Sequence, residues 1–206
     1  MLCCGGGLGL VAYKVLIDTG DVRPMARMKQ ERCSAGIIKF KGFVYLIGGS
    51  TPIGKSHWYT GEKYDFVRNQ WSLLRGTLDT WSICPSLSLF SGKIYVVAAW
   101  TNKVNVFDPD SERFSIVPVE LPIICGSLTS VVTDHYLVIM GNDQILKYDL
   151  KTWSLIGQNR ASFDYLWANS PPVKWTKYAF CVVSYGMEGI VRMDLETLTA
   201  EVVLRL

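Results

Sequence analysis

The feature that most constrains the fold is a strand–turn–strand pattern, closed by two glycines, in residues 33–71. A β-branched and aromatic run at 35–40 is followed by Lys41-Gly42, which is turn chemistry, and then by a second run at 43–47. That run stops at Gly48-Gly49, where the missing side chains permit a positive φ or a close backbone approach. The pattern predicts an antiparallel hairpin of strands.

A second pair of strands follows in the same stretch. Tyr64-Asp65 begins a third strand, residues 67–70 form a turn, and Trp71 begins a fourth strand seven residues after Tyr64. Residues 33–71 therefore predict a four-stranded antiparallel meander.

The meander recurs in the next part of the chain. Ser91-Gly92 is a turn, residues 93–97 are a second strand, and Ala98-Ala99 replaces the glycine pair. Phe107-Asp108 then repeats Tyr64-Asp65, because Phe114 follows Phe107 at the same spacing of seven. The repetition predicts a second unit of the same kind.

Three more units are weaker copies. In one of them Asp134-His135 is the turn, Tyr148-Asp149 begins the third strand, and Leu155 takes the position of Trp71 by spacing. In another, 178–184 is a strand and Met193-Asp194 repeats the later pattern. The units are 1–32 (partial), 33–80, 81–123, 124–163 and 164–206.

The repeat resembles the kelch repeat. The residues that carry the resemblance are the double glycine after a strand, Tyr64-Asp65, Trp71, and the Met-x-x-x-Arg spacing of Met28 and Arg32. A period of about fifty residues is typical of propeller repeats. The resemblance implies an all-β fold: one β-propeller domain over 1–206, with kelch-like four-stranded antiparallel blades, about four complete and one partial. We expect the ring to be incomplete or open.

Composition and charge exclude several other classes. Apolar residues make up 49% and charged residues 19%, which is a globular composition. The net charge of +3 comes without a Lys/Arg cluster, so we expect no nucleic-acid partner. No uncharged run reaches the roughly 18 residues of a spanning helix, so we expect no membrane partner.

The six cysteines are scattered and form no Cys-x-x-Cys pair. Unpaired thiols of this kind fit a reducing compartment, and we expect a cytoplasmic location. Cys33, Cys84 and Cys125 occupy similar places before the first strand of successive units, which favours small buried side chains near the propeller axis.

The sequence gives little support to catalysis. The two histidines, His57 and His135, are too dispersed for a His-rich metal site. One carboxylate recurs in each of four units, and this periodicity indicates turn structure instead of acid–base work; the four are Asp65, Asp108, Asp149 and Asp194. We therefore expect no catalytic residue, no metal and no cofactor.

Binding residues are expected in the loops, because a rigid propeller presents variable loops on one face. Tryptophan, tyrosine and arginine are the residue types that dominate binding hot spots. The candidate binding residues are His57, Trp58, Tyr59, Trp100, Asn102, Arg32, Trp81, Asn142 and Trp167. The first five stand in corresponding loops of adjacent units and suit a protein or peptide partner. For any one tryptophan, packing between blades is an equally good interpretation.

The function that these features favour is a protein–protein interaction scaffold. The kelch resemblance further implies the substrate-recognition part of a ubiquitin-ligase adaptor, joined to a cullin-type ligase through a BTB or F-box domain. The 206 residues contain neither domain, so this link is implied by the family alone. Two alternatives stay open: a propeller enzyme of the galactose-oxidase or sialic-acid-epimerase kind, and a degenerate fragment without independent function.

Three structural expectations follow from the alignment of units. Residues 33–48, 86–98, 127–140 and 178–184 should each form an inner hairpin. Trp71 and Phe114 should be buried, equivalent in space and packed between blades. An open ring should expose apolar blade faces, so that the chain self-associates.

Overall fold

The computed structural model of the chain describes residues 2–4, 10–51, 58–80, 82–122, 128–141, 143–161, 167–168, 172–184 and 189–205. Within these ranges there are twenty strands and no helix. It follows that no helix in the described part of the chain is long and apolar enough to cross a membrane. The strands form five antiparallel sheets, each built from consecutive segments of the chain.

The first two sheets hold seven strands. The first sheet is β1 (Leu2–Cys4), β2 (Ala12–Val15) and β3 (Val22–Pro24). The second sheet is β4 (Gly36–Phe40), β5 (Phe43–Ile47), β6 (Gly61–Asp65) and β7 (Gln70–Leu73).

The next three sheets complete the described architecture. The third sheet is β8 (Ser86–Phe90), β9 (Lys93–Val97), β10 (Lys103–Asp108) and β11 (Arg113–Glu120). The fourth is β12 (Leu128–Val132), β13 (Tyr136–Gly141), β14 (Gln144–Asp149) and β15 (Leu155–Arg160). The fifth is β16 (Trp167–Ala168), β17 (Val173–Trp175), β18 (Tyr178–Ser184), β19 (Gly189–Asp194) and β20 (Thr199–Arg205).

The sheets are the blades of a β-propeller. Neighbouring inner strands contact one another in the order β4, β8, β12 and β16. Four hydrophobic clusters join the first sheet to the second, the second to the third, the third to the fourth and the fourth to the fifth. None of these clusters, which cover only the described residues, joins the fifth sheet to the first. The core therefore lies between blades, and each blade is stabilised by its neighbours.

The inner hairpins at 33–48 and 86–98 are confirmed, and so is the hairpin at 127–140 over its described residues, 128–140. In the first turn φ is 47° at Lys41 and 81° at Gly42, and in the second it is 48° at Ser91 and 77° at Gly92. Two consecutive positive φ angles are those of a type I′ turn, whose twist matches the twist of the strands.

The expected hairpin at 178–184 is wrong, because this segment is a single strand, β18. Its inner partner is split in two: Val173–Trp175 pairs with one end of β18 and Trp167–Ala168 with the other. Pro171-Pro172 stands between the two pieces in the sequence, and proline has no N–H for a ladder. Pieces of two and three residues are too short for periodicity to reveal.

The recurring carboxylates are turn residues, as predicted. Each accepts hydrogen bonds from backbone N–H groups two and three residues further on; the four are Asp65, Asp108, Asp149 and Asp194. These donors lower the pKa of all four carboxyl groups, that of Asp194 to about 2. Four residues after each Asp the chain adopts a positive φ of 49° to 57°, at Asn69, Glu112, Trp153 and Leu198.

The glycine pair has both a positive φ and a close backbone approach, the two features that the sequence allowed for. Gly48 and Gly49 have φ of 71° and 92°. A Cβ on Gly48 would lie 2.5 Å from the carbonyl oxygen of Ser82, and the N–H of Gly49 donates to that oxygen at 2.7 Å. The glycines therefore allow the second blade to contact the backbone that leads into the third.

Trp71 and Phe114 are equivalent but not equally buried. Trp71 pairs with Tyr64 across β6 and β7, and Phe114 pairs with Phe107 across β10 and β11. Trp71 has no exposed surface and donates its indole N–H to the carbonyl of Ala26 in the preceding blade at 3.0 Å. Phe114 is only partly buried, so the expectation of full burial is wrong for Phe114.

The cysteines differ from one another. Cys84 is exposed and Cys33 is half-buried, so the expectation of buried side chains is wrong for Cys84 and is not fully met for Cys33. Cys125 lies outside the described residues. Cys181 is buried in the fifth blade, and the loss of solvation there raises the pKa of its thiol to about 12.

Antiparallel topology gives the disc two distinct faces. The turn face carries the tight turns within the inner and outer hairpins, such as 41–42 and 66–69. The crossing face carries the loops between the second and third strand of each blade, together with the segments that lead from one blade to the next. The predicted binding residues Trp58, Tyr59, Trp100 and Asn102 lie on the crossing face.

Candidate binding face

A buried carboxylate organises the crossing face at the second blade. Glu62 has no exposed surface, and its Oε1 accepts hydrogen bonds from Arg32 Nε and from the N–H of Gln30, both at 3.0 Å. Its Oε2 accepts the N–H of Lys29 at 2.6 Å. The carboxylate on β6 therefore holds the segment that leads from the first blade to the second.

Arg32 completes this arrangement from the other side. Its two terminal nitrogens donate to the carbonyls of Gly48 at 2.8 Å and Thr60 at 3.0 Å, and to Thr60 Oγ1 at 2.8 Å. Burial lowers the pKa of Arg32, while Glu62 opposes that shift. A buried ion pair is tolerated only when its remaining donors and acceptors are also paired, and here they bind backbone groups of the surrounding loops. Arg32, a predicted binding residue, is 2% exposed. It therefore stabilises the loops of the crossing face from the interior instead of lying on the surface.

Trp58 lies on top of this network. Its indole N–H donates to the carbonyl of Glu31 at 2.8 Å, and its ring centroid is 5.5 Å from Cζ of Arg32. Its backbone N–H donates to the carbonyl of Gly49 at 2.9 Å. These contacts hold a half-buried indole in one orientation, and the neighbouring Tyr59 is 44% exposed.

The third blade presents a second aromatic side chain on the same face. Trp100 is 53% exposed and has a φ of 64°, in the left-handed region that a bulky residue seldom adopts. Two residues on, the carbonyl of Asn102 accepts the N–H of Leu121 at 2.7 Å. Trp58 and Tyr59 lie between β5 and β6, and Trp100 and Asn102 lie between β9 and β10, so they belong to corresponding loops of two adjacent blades. Their role in binding stays a prediction.

The other predicted residues are less informative. Trp167 lies in β16, where the structure describes only the backbone. His57, Trp81 and Asn142 lie outside the described residues. Within the described ranges, no group of three or more His, Cys, Asp or Glu side chains could hold a metal ion.

Sequence reasoning missed the two residues that hold the crossings. Asn105 is 4% exposed, and its side-chain oxygen accepts the N–H of Asp79 at 3.1 Å, as Glu62 does one blade earlier. Each stands two residues before the strand aromatic, Tyr64 or Phe107, at a position that is Leu146 in the fourth blade. A polar residue at a position that is apolar in a sister repeat was the available signal.

A cleft on the side of the fourth blade that faces the third blade was also missed. It has a volume of about 630 Å³ and is lined by Pro122 and by residues of β14 and β15. The floor is Leu146 and Tyr148, both 4% exposed, and the rim carries Gln158 and Arg160. β15 is the outermost strand of the fourth blade, so the cleft lies towards the perimeter of the propeller.

The comparisons with known proteins add the fold alone. No family model matches the chain. No curated protein matches it either. Among solved structures, the chain is similar to the one described as "Structure of YjhT", with a TM-score of 0.70 and 15% sequence identity over 88% of this chain and 68% of that chain. At this identity the likeness supports the propeller fold and carries no function.

Proposed function

We propose that this protein is a protein-binding scaffold of the kelch type, which recognises a protein or peptide on the crossing face. The observation that carries the proposal is the pair of exposed or half-buried tryptophans, Trp58 and Trp100, in corresponding loops of adjacent blades. Aromatic side chains supply large contact areas at little cost in conformational entropy, and they are enriched where binding energy concentrates.

The support beneath these residues favours recognition over simple exposure. Glu62 and Arg32 fix the segment that carries Glu31, whose carbonyl accepts the indole N–H of Trp58. A side chain that is already oriented loses less entropy on binding. The left-handed φ of Trp100 is backbone strain, which often marks sites where a side chain must be presented to a partner.

The kelch resemblance extends the proposal to the substrate-recognition part of a ubiquitin-ligase adaptor in the cytoplasm. The double glycine and the Tyr64 to Trp71 spacing support it, and so does the propeller fold. In this proposal a cullin-type ligase engages a BTB or F-box domain and the propeller presents the substrate.

A comparative pull-down tests the binding face. Immobilised wild type, a Trp58→Ala/Trp100→Ala variant and a control variant are incubated with the same cell extract, and the bound proteins are quantified by mass spectrometry. The control is Phe66→Ala/Val67→Ala, because these residues are 39% and 96% exposed on the turn face.

We expect specific proteins to bind the wild type and the control and to be lost from the Trp58→Ala/Trp100→Ala variant. Equal recovery by all three folded proteins would remove the crossing face from the proposal. Recovery of a cullin together with these proteins, from cells expressing the native protein, would support the adaptor role.

A further inference from the structure

The cleft lies on the side of the fourth blade that faces the third, at the position where the second and third blades each have an aromatic ring. In the second blade Trp71 fills this position and lies against Tyr64, with ring centroids 5.1 Å apart. In the third blade Phe114 lies against Phe107 at 4.7 Å. In the fourth blade the register pairs Tyr148 with Leu155, so the aromatic partner is missing.

The fourth blade has its aromatic residue at a different position of the same hairpin. Trp153 stands two residues before Leu155, at the turn position with positive φ, and its ring is 5.7 Å from that of Tyr95 in the third blade. The indole therefore packs near the turn face and leaves the outer part of the same interface to Leu155. Leu155 is 46% exposed, whereas Trp71 has no exposed surface.

The next interface closes by a different device. Position 200 is an alanine, but Leu198 is buried there and approaches β15 at Gly157. A Cβ at Gly157 would lie 2.9 Å from Leu198 Cδ1, so the glycine allows the two blades to contact each other closely. The interface of the third and fourth blades, which has Leu155 at this position, keeps the cleft.

We propose that this cleft binds an aromatic side chain of a partner peptide, which takes the place that Trp71 and Phe114 occupy in the earlier blades. The volume of about 630 Å³ lies within the roughly 300–1,000 Å³ of ligand pockets. Tyr148 and Leu146 form an apolar floor for the ring, and Gln158 at the rim can hydrogen-bond the peptide backbone.

The charge at the rim selects the residue beside the ring. Arg160 is 80% exposed, and its terminal nitrogen is 3.4 Å from a carboxylate oxygen of Asp143. An exposed ion pair of this length contributes little, so a peptide carboxylate can compete for the guanidinium. The ligand class is therefore a peptide with an acidic residue next to an aromatic residue.

This site lies on the perimeter of the disc, and it does not depend on Trp58 or Trp100. Loss of peptide binding at the cleft and loss of partners at the crossing face are separate results, obtained with different variants.

Nuclear magnetic resonance on the full 206-residue chain tests the proposal. The probes are the blocked dipeptides N-acetyl-Trp-Glu-amide, N-acetyl-Trp-Lys-amide and N-acetyl-Ala-Glu-amide, titrated into 15N-labelled protein. We expect N-acetyl-Trp-Glu-amide to give saturable shifts at the amides of β14 and β15. The lysine dipeptide should bind more weakly, and the alanine dipeptide should give no saturable shifts.

Two variants locate the site. Leu155→Trp should fill the cleft with the protein's own indole and weaken binding of N-acetyl-Trp-Glu-amide about tenfold or more. The matched control is Leu73→Trp, because Leu73 is 49% exposed on the outer strand of the second blade, away from the cleft. Leu73→Trp should bind the dipeptide as the wild type does. Leu155→Phe serves as the smaller plug if Leu155→Trp does not fold.

Three results would overturn the proposal. They are the absence of saturable shifts at β14 and β15 in the wild type, equal binding by the folded Leu155 variant, and equal binding of the Trp and Ala dipeptides. An Arg160→Gln variant should abolish the preference for glutamate over lysine, and a preference that survives it would overturn the role of Arg160.

Discussion

At the scale of single residues, equivalent positions of the repeat have the same backbone geometry, but their side chains are buried to different extents. Tyr64 and Trp71, and Phe107 and Phe114, form the same cross-strand pair in two blades. The indole of Trp71 reaches the carbonyl of Ala26 in the preceding blade, while the smaller ring of Phe114 stays partly exposed. One position in the repeat thus contributes different amounts to different interfaces.

Trp71→Ala should lower the free energy of unfolding by about 3–5 kcal/mol, since it removes a fully buried aromatic side chain. Urea unfolding followed by circular dichroism measures this change. Phe114→Ala is the matched comparison and should cost less, because part of that ring is already in water. Equal losses in the two variants would contradict the difference in burial.

At the scale of elements, the outer hairpins depend on ionised aspartates in their turns. The backbone N–H groups of Thr197 and Glu196 stabilise the Asp194 carboxylate, and Lys177 adds an ion pair at 3.1 Å. These groups lower the pKa of Asp194 from its ordinary value near 3.8 to about 2. A carboxyl group whose pKa is lowered on folding stabilises the native state above its unfolded pKa, and this stabilisation is lost as pH falls through the folded pKa.

Stability should therefore fall as the pH is lowered from about 5 to about 2. Asp194→Asn keeps a side-chain oxygen for the two N–H groups but removes the titrating carboxyl. We expect this variant to be less stable than the wild type at pH 7 and to lose less stability on acidification. Thermal unfolding at a series of pH values tests this, and parallel acid curves for the two proteins would count against it.

The inner strands depend on glycine for two separable reasons. Gly42 and Gly48 both have positive φ, at 81° and 71°. A Cβ on Gly42 meets nothing within 4 Å, whereas one on Gly48 would lie 2.5 Å from the carbonyl of Ser82. Gly42 is needed only for the positive φ of its turn. Gly48 is needed for its positive φ and also for the close contact between the second blade and the segment that leads to the third.

Gly42→Ala should cost about 1–2 kcal/mol, the penalty for a left-handed residue with a Cβ. Gly48→Ala should cost more, since it adds a clash with backbone that cannot rotate away. Chemical denaturation of both variants gives the comparison. If Gly48→Ala were the milder change, the close approach to the third blade would be wrong.

At the scale of the whole molecule, each described blade contacts the next. Lys63 forms an ion pair with Glu112 of the next blade, and Lys147 donates to the carbonyl of Leu195 in the blade after its own at 3.0 Å. Arg192 holds the corresponding position in the fifth blade and pairs instead with Glu201 of its own sheet. We therefore predict that this side of the fifth blade is free to contact another chain.

Self-association of the 206-residue chain is the expected consequence. The fifth sheet exposes large apolar side chains, including Trp175 at 70%, Val182 at 41% and Leu204 at 48%. Contiguous patches of this kind mark association sites. Size-exclusion chromatography with light scattering at micromolar concentration should detect species larger than a monomer.

Val182→Lys/Leu204→Lys should shift the population towards monomer, because it places charge on the exposed side of the sheet. Ile17→Lys is a comparison from the first blade, where Ile17 is 78% exposed. A stable monodisperse monomer of the wild type would contradict this prediction and the open ring on which it rests.

The sequence by itself determined the strands, the turns and their repetition in the second, third and fourth blades, but not the split inner strand of the fifth. These follow from local chemistry. The strands come from apolar runs, and the inner turns come from Lys41-Gly42 and Ser91-Gly92. At the outer turns an aspartate accepts hydrogen bonds from backbone N–H groups two and three residues later. A local hydrogen bond or a required φ is encoded within a few residues, so it can be predicted from them. The loops that carry Trp58 and Trp100 followed from the same repetition.

Only the tertiary structure decided what lies between the blades. The burial of Glu62 against Arg32, the partial exposure of Phe114 and the cleft beside Leu155 each depend on how closely two sheets approach. That distance is set by side chains from different repeats acting together, such as Trp153 with Tyr95 or Leu198 with Gly157. No single repeat contains this information, because each interface is shared by segments of two successive repeats.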